Sequence, residues 1–368
     1  MKKAVALLII IATLICMSAC GGGFYDAIPS TEEEARTVMT FSLEGKTYEV
    51  KYEVYRALFL NLKSEIDGGD ASVWSGENKN AYIERANEKI TDMLAYIYSA
   101  FAICNRIGFD VYSDSVNTQI SEYIKSAVDG EVYGGDYEKY LTDLKADNLN
   151  YSAHELILRW GIATDAIDEY YLGTVSADDI SGQITVGNLT YNREDVENFY
   201  FSEDCVRVIR GCIADNGIRP TPDRAEDLRD RVLSVVHLGD EAVAAAMAGA
   251  GSITAQAELQ NGFVIGKYNL NRFYYGEMTE VSFDTPIGGV SEVITVVEDM
   301  GERCYVIYRT EKSAEHFDSC YGEIAYTFLS DSVGEILHTA ELQLLESVST
   351  TDVLKNLDYS KISMEPEE

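Results

Sequence analysis

The residue types best suited to nucleophilic, acid–base or metal chemistry are scattered along this chain. Beyond Cys20 the cysteines lie far apart, and none stands in the CxxC or CxxH pattern of a zinc site. The histidines are also isolated, each in a stretch that predicts helix, where a solvated or core-edge histidine is the default. We therefore expect no metal centre, no cofactor and no disulfide framework. The residues concerned are Cys104, Cys205, Cys212, Cys304 and Cys320, with His154, His237, His316 and His338.

Composition and charge exclude further classes of function. The 368 residues include 29 basic and 62 acidic side chains, and the formal net charge of -33 would repel a nucleic acid backbone. With 46% apolar and 25% charged residues, the chain has globular proportions. The motifs GxSxG, HExxH and GxxxxGK are absent from the sequence, so hydrolase chemistry has no support.

The first twenty residues predict a targeting signal rather than a folded element. Lys2 and Lys3 precede an apolar run over residues 4–16, which is shorter than the about 20 residues a membrane-spanning helix needs. The following Met-Ser-Ala-Cys20 resembles the lipobox of bacterial lipoproteins, with Met17 in place of the usual leucine. That resemblance implies cleavage before Cys20, diacylglycerol on its sulfur and a protein on the extracytoplasmic face of the membrane. The alternative is an ordinary secretory signal with an incidental cysteine.

Hydrophobic periodicity predicts a helical part, a small α+β part and a helical tail. A short hairpin over residues 40–50 comes first, with Glu44-Gly45 as its turn. Apolar residues at helical spacing then recur to about residue 171 and again over residues 318–348. The predicted helices cover residues 51–66, 78–107, 116–124, 137–144, 156–167, 193–203, 221–238 and 240–248, and the predicted strands cover 206–213, 262–270 and 301–308. This order is typical of a compact domain inserted into a helical one.

Three stretches of sequence carry a resemblance to a known family. Residues 134–141 with 148–150 resemble two linked chaperone helices, and residues 238–242 resemble the turn between two parvulin helices. Residues 261–293 resemble the parvulin Gly-Gly…Leu-Gly strand, Gly-x-Met segment, phenylalanine and Gly-x-x-Ser turn. The chain thus resembles the SurA/PrsA-type extracytoplasmic chaperones, in which a parvulin peptidyl-prolyl isomerase domain accompanies a helical chaperone domain.

The resemblance implies an α+β fold with a helical SurA-N-like chaperone domain. A parvulin-like domain, a four-stranded antiparallel sheet flanked by helices, would be inserted into it, and a C-terminal helix would return to the helical domain. The implied divisions are a signal peptide (1–19), a tether (20–39), a helical chaperone domain (40–178), a linker (179–199), the parvulin-like domain (200–312), C-terminal helices packing on the helical domain (313–358) and an acidic tail (359–368).

The family's catalytic residues are missing at the aligned positions. Parvulins usually carry a histidine in the first strand and another in the last, where this chain has Gly211 and Tyr305. Met278, Phe283 and Tyr305 remain as walls of a proline pocket, although the segment between Met278 and Phe283 is short and lacks one usual aromatic residue. The alternative is that all three belong only to the core of a small domain.

The alignment also makes a geometric prediction. If Gly211 lies opposite Tyr305 in antiparallel strands, Cys212 lies opposite Cys304, and both thiols point away from the pocket and under the helices. Two buried free thiols are then favoured over a cross-strand disulfide, because a disulfide has strict geometry.

The implied function is an extracytoplasmic folding factor, anchored in the membrane through its N-terminal lipid. It would bind unfolded or proline-containing secreted polypeptides, with isomerase activity weak or lost. Tyrosines on the predicted helices could offer contact area in a client groove or simply bridge core and solvent. A solute-binding lipoprotein and a purely structural surface lipoprotein remain as alternatives. The tyrosines concerned are Tyr82, Tyr96, Tyr98, Tyr123, Tyr140, Tyr170 and Tyr171.

Overall fold

The computed structural model describes most of the chain after the N-terminal region. The described residues are 25, 30–173, 184–186, 189–214, 221–268, 272–298 and 301–364. The predicted signal peptide, Cys20 and part of the predicted tether lie outside them. The chain divides into two compact units: the first is built from residues up to Ile167 and from Ile336 onward, and the second from Asp168–Glu335. Among the described residues, no helix combines the length and apolar character that crossing a membrane requires.

Helices and short antiparallel sheets make up both units, so the α+β class is confirmed. The helices are α1 (Tyr52–Asp67), α2 (Lys79–Arg106), α3 (Asp114–Asp129), α4 (Tyr137–Ala146), α5 (Tyr151–Tyr171), α6 (Arg193–Phe201), α7 (Thr221–Val235), α8 (Asp240–Gly249), α9 (Gln256–Asn261), α10 (Arg272–Asp284), α11 (Ala314–Ser319), α12 (Tyr321–Ser347) and α13 (Asp352–Lys355). The strands are β1 (Thr37–Leu43), β2 (Lys46–Lys51), β3 (Ile184–Val186), β4 (Leu189–Tyr191), β5 (Cys205–Ala214), β6 (Phe263–Gly266), β7 (Ile294–Glu298), β8 (Gly301–Thr310) and β9 (Ser349–Thr350).

The first unit combines long helices with a small sheet in the order β2-β1-β9. The predicted hairpin is confirmed: Glu44 and Gly45 both have positive φ angles, 52° and 78°, as a two-residue type I′ turn requires. β9 pairs with β1 near Met39, so the C-terminal segment completes this sheet. Apolar residues of α3, α4 and α5 form one core cluster, which includes Val116, Ile120, Ile124, Val128, Tyr140, Leu158 and Ile162.

The second unit is organised around an antiparallel sheet in the strand order β6-β5-β8-β7. The long strands β5 and β8 form its centre, and each is buried along most of its length. Helices α7, α8 and α9 cover one face, and α10 covers the other. The sheet therefore has two separate core layers, and each strand contributes alternate side chains to them.

Several elements depart from the sequence predictions. β1 begins at Thr37, inside the predicted tether, and the predicted linker contains β3, β4 and most of α6. β6 ends at Gly266 rather than near residue 270, because the chain turns there. Helices α9 and α10 and strand β7 were not predicted from the sequence. Of these, α10 matters most for function, since it carries Met278 and Phe283.

Candidate functional site

The register of the two central strands decides which side chains share a face. The structure pairs Cys212 with Tyr305 and Gly211 with Val306. The prediction that Gly211 lies opposite Tyr305 is therefore wrong by one residue. Because a shift of one residue exchanges the two faces of a strand, Gly211 lies on the face away from Tyr305.

Gly211 lies under the helices that cover the first face. A Cβ at this position would lie 3.0 Å from Cδ2 of Leu228 and 3.2 Å from Sδ of Met247. Leu228 belongs to α7 and Met247 to α8, and both are fully buried in the apolar layer of this face. The absence of a side chain at Gly211 thus lets two helices approach the sheet closely. We call this layer the helix-covered face; it includes Ile209, Ile213, Leu228, Val243, Met247, Cys304 and Val306.

The two central cysteines also separate by face. Cys304 lies in the helix-covered face, as predicted, and its Sγ is 3.4 Å from the hydroxyl oxygen of Thr295. Cys212 lies in the opposite layer, so the prediction that both thiols point under the helices is wrong for Cys212. Both cysteines are buried thiols that form no disulfide, as predicted, and alternate faces of the sheet keep their sulfurs apart.

The second face brings the predicted pocket residues together. Met278 and Phe283 from α10 pack with Tyr305 of β8, and Cys212 of β5 joins the same cluster. Met278 is 2% exposed and Tyr305 4% exposed, whereas Phe283 is half-buried. In the structure this is a closed layer under α10 rather than an open cleft. We call it the α10-covered face; its buried members are Val206, Val208, Cys212, Met278, Ile294, Tyr305 and Ile307.

Arg210 is a member of the α10-covered face that the sequence analysis did not identify. Its Nη1 donates to Sδ of Met278 over 3.2 Å, and its guanidinium carbon lies 4.1 Å from the ring centre of Phe263. The same guanidinium carbon lies 5.5 Å from the ring centre of Tyr305. The Nε of Arg210 is buried and has no hydrogen-bond acceptor among the described residues. A buried donor left unsatisfied costs about 1–3 kcal/mol, so this arrangement is unfavourable for folding alone.

Strand alternation was the signal that could have found Arg210. It stands two residues before Cys212 in a strand that the sequence does predict, so the two side chains point the same way. With Gly211 taken as the residue facing Tyr305, Arg210 fell on the wrong side of the sheet. The one-residue error in register therefore hid the most polar group of this face.

A loop after α10 fixes that helix to the sheet. The guanidinium of Arg309 donates to the carbonyl oxygens of Phe283 and Thr285 at 2.6 and 3.0 Å. Ser291, in the predicted Gly-x-x-Ser turn, accepts the backbone N–H of Ile307 through its hydroxyl at 3.0 Å. Gly288, with a φ of 78°, forms the turn between these contacts. The C-terminal end of α10 is thereby held against β8.

The buried histidines and cysteines elsewhere, His154, His316, Cys104 and Cys205, belong to the core. Burial lowers the pKa of His154 to about 4, and its Nδ1 is 2.7 Å from the hydroxyl of Tyr140. Burial, with the charge of Arg207 nearby, lowers the pKa of His316 to about 4 as well. Burial raises the pKa of the Cys104 and Cys205 thiols to about 12, so neither forms a thiolate at neutral pH. Within the described ranges, no group of three His, Cys, Asp or Glu side chains converges to hold a metal ion.

The tyrosines of the long helices belong mostly to the core. Their rings pack on other aromatic side chains, as Tyr98 does between Tyr48 and Phe101 at centroid distances of 5.0 and 5.7 Å. The core-and-solvent interpretation is therefore favoured over a tyrosine-lined groove. Of the seven, Tyr96, Tyr98, Tyr140 and Tyr171 are buried, Tyr82 and Tyr123 are half-buried, and Tyr170 is exposed.

Comparisons with known proteins give a limited result. No family model matches the chain, and no curated protein matches it. Among solved structures, the foldase protein PrsA of Streptococcus pneumoniae aligns at 11% identity and a TM-score of 0.24, covering 86% of this chain and 96% of that one. PrsA of Lactococcus lactis aligns at 12% identity and a TM-score of 0.23. The peptidylprolyl isomerase PrsA of Bacillus cereus aligns at 12% identity and a TM-score of 0.22. Each alignment covers 89% of this chain and 99% of the other. The alignments are long but the TM-scores are low, so they assign no function to this chain.

Proposed function

We propose that this protein is a membrane-anchored extracytoplasmic folding factor that binds unfolded, proline-containing secreted polypeptides. The observation that carries the proposal is the α10-covered face, where Met278, Phe283 and Tyr305 meet on one side of a four-stranded antiparallel sheet. Thioether and aromatic side chains are well suited to gripping a proline ring. The anchor rests on the sequence pattern that ends at Cys20.

Isomerase activity at this face is weak or absent in our proposal. Prolyl isomerisation breaks no covalent bond; its barrier of about 20 kcal/mol comes from twisting the amide, and an enzyme lowers it by desolvation and hydrogen bonding. The side chains that meet across the two central strands are a thiol, Cys212, and a phenol, Tyr305. Neither is the histidine that the resembling family usually places in these strands. The face therefore retains apolar side chains that could hold a proline ring, but it lacks the two histidines of the resembling family.

Burial of Met278 and Tyr305 favours a second candidate, a purely structural surface lipoprotein in which this face is only core. In the folding-factor proposal a client must displace part of α10 to reach these side chains. The solute-binding alternative would need parallel strand–helix lobes, and the described strands pair antiparallel. The two remaining candidates differ in one measurable property, which is binding of an unfolded chain.

The test uses the mature full-length chain, an unfolded secreted client and a proline peptide. We expect suppression of client aggregation at equimolar ratio, and peptide cis/trans exchange, followed by NMR, close to the uncatalysed time of tens of seconds. Met278→Ala should weaken client binding, whereas Met247→Ala on the helix-covered face should leave it unchanged at a similar loss of stability.

Two outcomes would overturn parts of the proposal. Absence of both client protection and peptide binding would favour the structural lipoprotein. Rapid catalysed exchange that is lost in Tyr305→Ala would show that isomerase activity survives without the histidines.

A further inference from the structure

Tyr25, near the start of the predicted tether, is attached to the first unit. Its hydroxyl donates to Oδ1 of Asp129 at 3.0 Å and lies 3.3 Å from the carbonyl oxygen of Gly135. Its ring stacks on that of Tyr137, with the centroids 4.7 Å apart and the planes at 24°. These partners lie at the end of α3, in the turn that follows and at the start of α4. We call residues 130–136 the α3–α4 turn.

A second attachment follows a few residues later along the chain. The hydroxyl of Ser30 donates to the carboxylate of Glu53 over 2.8 Å, and Arg56 pairs with Glu34 over 2.5 Å. Glu53 and Arg56 both belong to the first turns of α1. Two separate places on the first unit thus hold this part of the chain, so the contact of Tyr25 is not an isolated one.

The chain between Tyr25 and the predicted lipid is short. Tyr25 follows Cys20 by five positions, and even a fully extended chain of this length spans no more than about 18 Å. Tyr25 in turn contacts the α3–α4 turn through Gly135. A lipid on Cys20 would therefore hold this turn close to the bilayer surface, whatever path the residues between Cys20 and Tyr25 take.

The side chains of the α3–α4 turn allow it to approach lipid headgroups but do not attract it to them by charge. Val132, in the middle of the turn, is 69% exposed, and Tyr133 beside it is half-buried. Tyrosine is a common residue at the level of the headgroups. Residues 125–139 carry two lysines and four acidic side chains, so anionic lipids would repel this end of the unit. The approach to the bilayer must therefore come from the attachment at Tyr25.

We propose that the α3–α4 turn is the membrane-facing surface of the first unit, held at the lipid headgroups by the docking of Tyr25. This inference rests on the membrane anchor in the proposed function, and it concerns only the first unit. The 16 residues of α3 span about 24 Å, so its start at Asp114 lies farther from the bilayer than its end at Asp129, by up to that distance.

The test measures energy transfer to the bilayer from the two ends of α3. Val132→Cys and Ser115→Cys each introduce one thiol at an exposed position, the first in the α3–α4 turn and the second in the first turn of α3. The native cysteines of the described residues are all buried, so a thiol-reactive donor dye labels only the introduced one.

The labelled protein is the full chain, produced with its signal sequence in a bacterial host that lipidates Cys20, as checked by mass spectrometry. It is incorporated into phosphatidylcholine vesicles that contain an acceptor lipid. We expect the transfer efficiency from position 132 to exceed that from position 115 by about twofold or more. The ratio should be the same at about 0.05 and 0.5 M salt, because a covalent attachment is not screened.

Variants of Tyr25 identify the contact that sets this orientation. Tyr25→Ala removes the ring stacking and both hydroxyl contacts, so the ratio should fall towards one. Tyr25→Phe keeps the stacking on Tyr137 and lacks the hydroxyl, and should give an intermediate ratio. Tyr170→Ala removes an exposed tyrosine whose ring contacts Tyr171, and as the matched control it should keep the full ratio.

The outcomes separate this inference from the function beneath it. Equal transfer from both positions in vesicle-bound protein would overturn the membrane-facing role of the α3–α4 turn and leave the anchor intact. An unchanged ratio in Tyr25→Ala would also overturn it, since another part of the chain would then orient the unit. Absence of lipid on Cys20, or failure of the chain to co-float with the vesicles, would overturn the membrane anchor of the proposed function itself.

Discussion

The two faces of the four-stranded sheet use the same strands for different purposes. The helix-covered face has an apolar core and carries Arg207, which is paired with Asp240, and Gly211 lets α7 and α8 approach closely. The α10-covered face includes a guanidinium with a buried, unsatisfied donor, at Arg210, together with the phenol of Tyr305 and the thiol of Cys212. Polar groups that do not improve folding are expected at sites where a protein binds a ligand or a client. In the proposed function, the first face contributes stability and the second face binds the client.

The largest effect is expected from truncating the helix-covered face. Ile209 is fully buried there, so Ile209→Ala should reduce the free energy of unfolding by about 2–5 kcal/mol. Urea unfolding of the full chain, followed by hydrogen exchange of amides in β5 and β8, measures this loss. Peptide affinity of the folded fraction should not change, and a loss of affinity would contradict the division between the faces.

A contact at the sheet edge, between Asp331 and the backbone of Tyr268, makes stability depend on pH. It belongs to neither face, so its contribution must be measured separately from theirs. Oδ1 of Asp331 on α12 accepts the backbone N–H of Tyr268, just beyond β6, over 2.5 Å. Burial, with the carboxylates of Asp204 and Glu335 nearby, raises the pKa of Asp331 from its ordinary value near 4 to about 7, although the hydrogen bond from Tyr268 and the charge of Lys267 oppose this.

The direction of the pH effect follows from proton binding. Between about pH 4 and 7 the folded state holds a proton on Asp331 that the unfolded state has lost, so stability falls as the pH rises through this window. Asp331→Asn should flatten that part of the stability profile from urea midpoints. An unchanged slope in the variant would mean that other groups cause it.

A smaller loss is expected from filling the space at Gly211. In Gly211→Val the added side chain would meet Leu228 and Met247, and such overpacking typically costs about 1–3 kcal/mol. The thermal midpoint and the urea midpoint of the full chain both measure it. If the variant instead lost peptide binding at unchanged stability, Gly211 would belong to the α10-covered face and the observed register would be wrong.

The smallest change in stability is expected from removing the charge of Arg210. Replacing a half-buried, poorly satisfied charge by an apolar side chain is expected to be near neutral, so Arg210→Leu should change the free energy of unfolding by less than about 1 kcal/mol. Urea unfolding checks this value. A loss above about 3 kcal/mol would show that Arg210 is needed for folding, and the comparison between the faces would fail.

Much of this architecture could be predicted from periodicity. The long helices have apolar residues at helical spacing, β5 is mostly apolar between its two arginines, and β8 has an apolar run over residues 304–308. Helix α10 was missed because its sequence includes Gly276, two tyrosines and two phenylalanines, which are weak helix formers. Strand β7 has a readable signal in its β-branched run from Ile294, which the sequence analysis did not use.

The register of the central strands could not be predicted by pattern. β5 is buried on both faces, so its sequence lacks the alternation of apolar and polar residues that fixes which side chains point to which face. Only packing decides it, through the close approach of Leu228 and Met247 to Gly211. The one-residue error in register placed Gly211 instead of Cys212 opposite Tyr305. It also placed Arg210 on the wrong face of the sheet, so Arg210 was not identified.

Methionine methyl NMR tests the central claim most directly. Met278 and Met247 are both buried, one on each face of the sheet, so each reports on its own layer under identical conditions. Titration of the full chain with a proline-containing peptide should shift or broaden the methyl signal of Met278 and leave that of Met247 unchanged. Equal perturbation of both signals, or of neither at saturating peptide, would contradict the assignment of recognition to the α10-covered face.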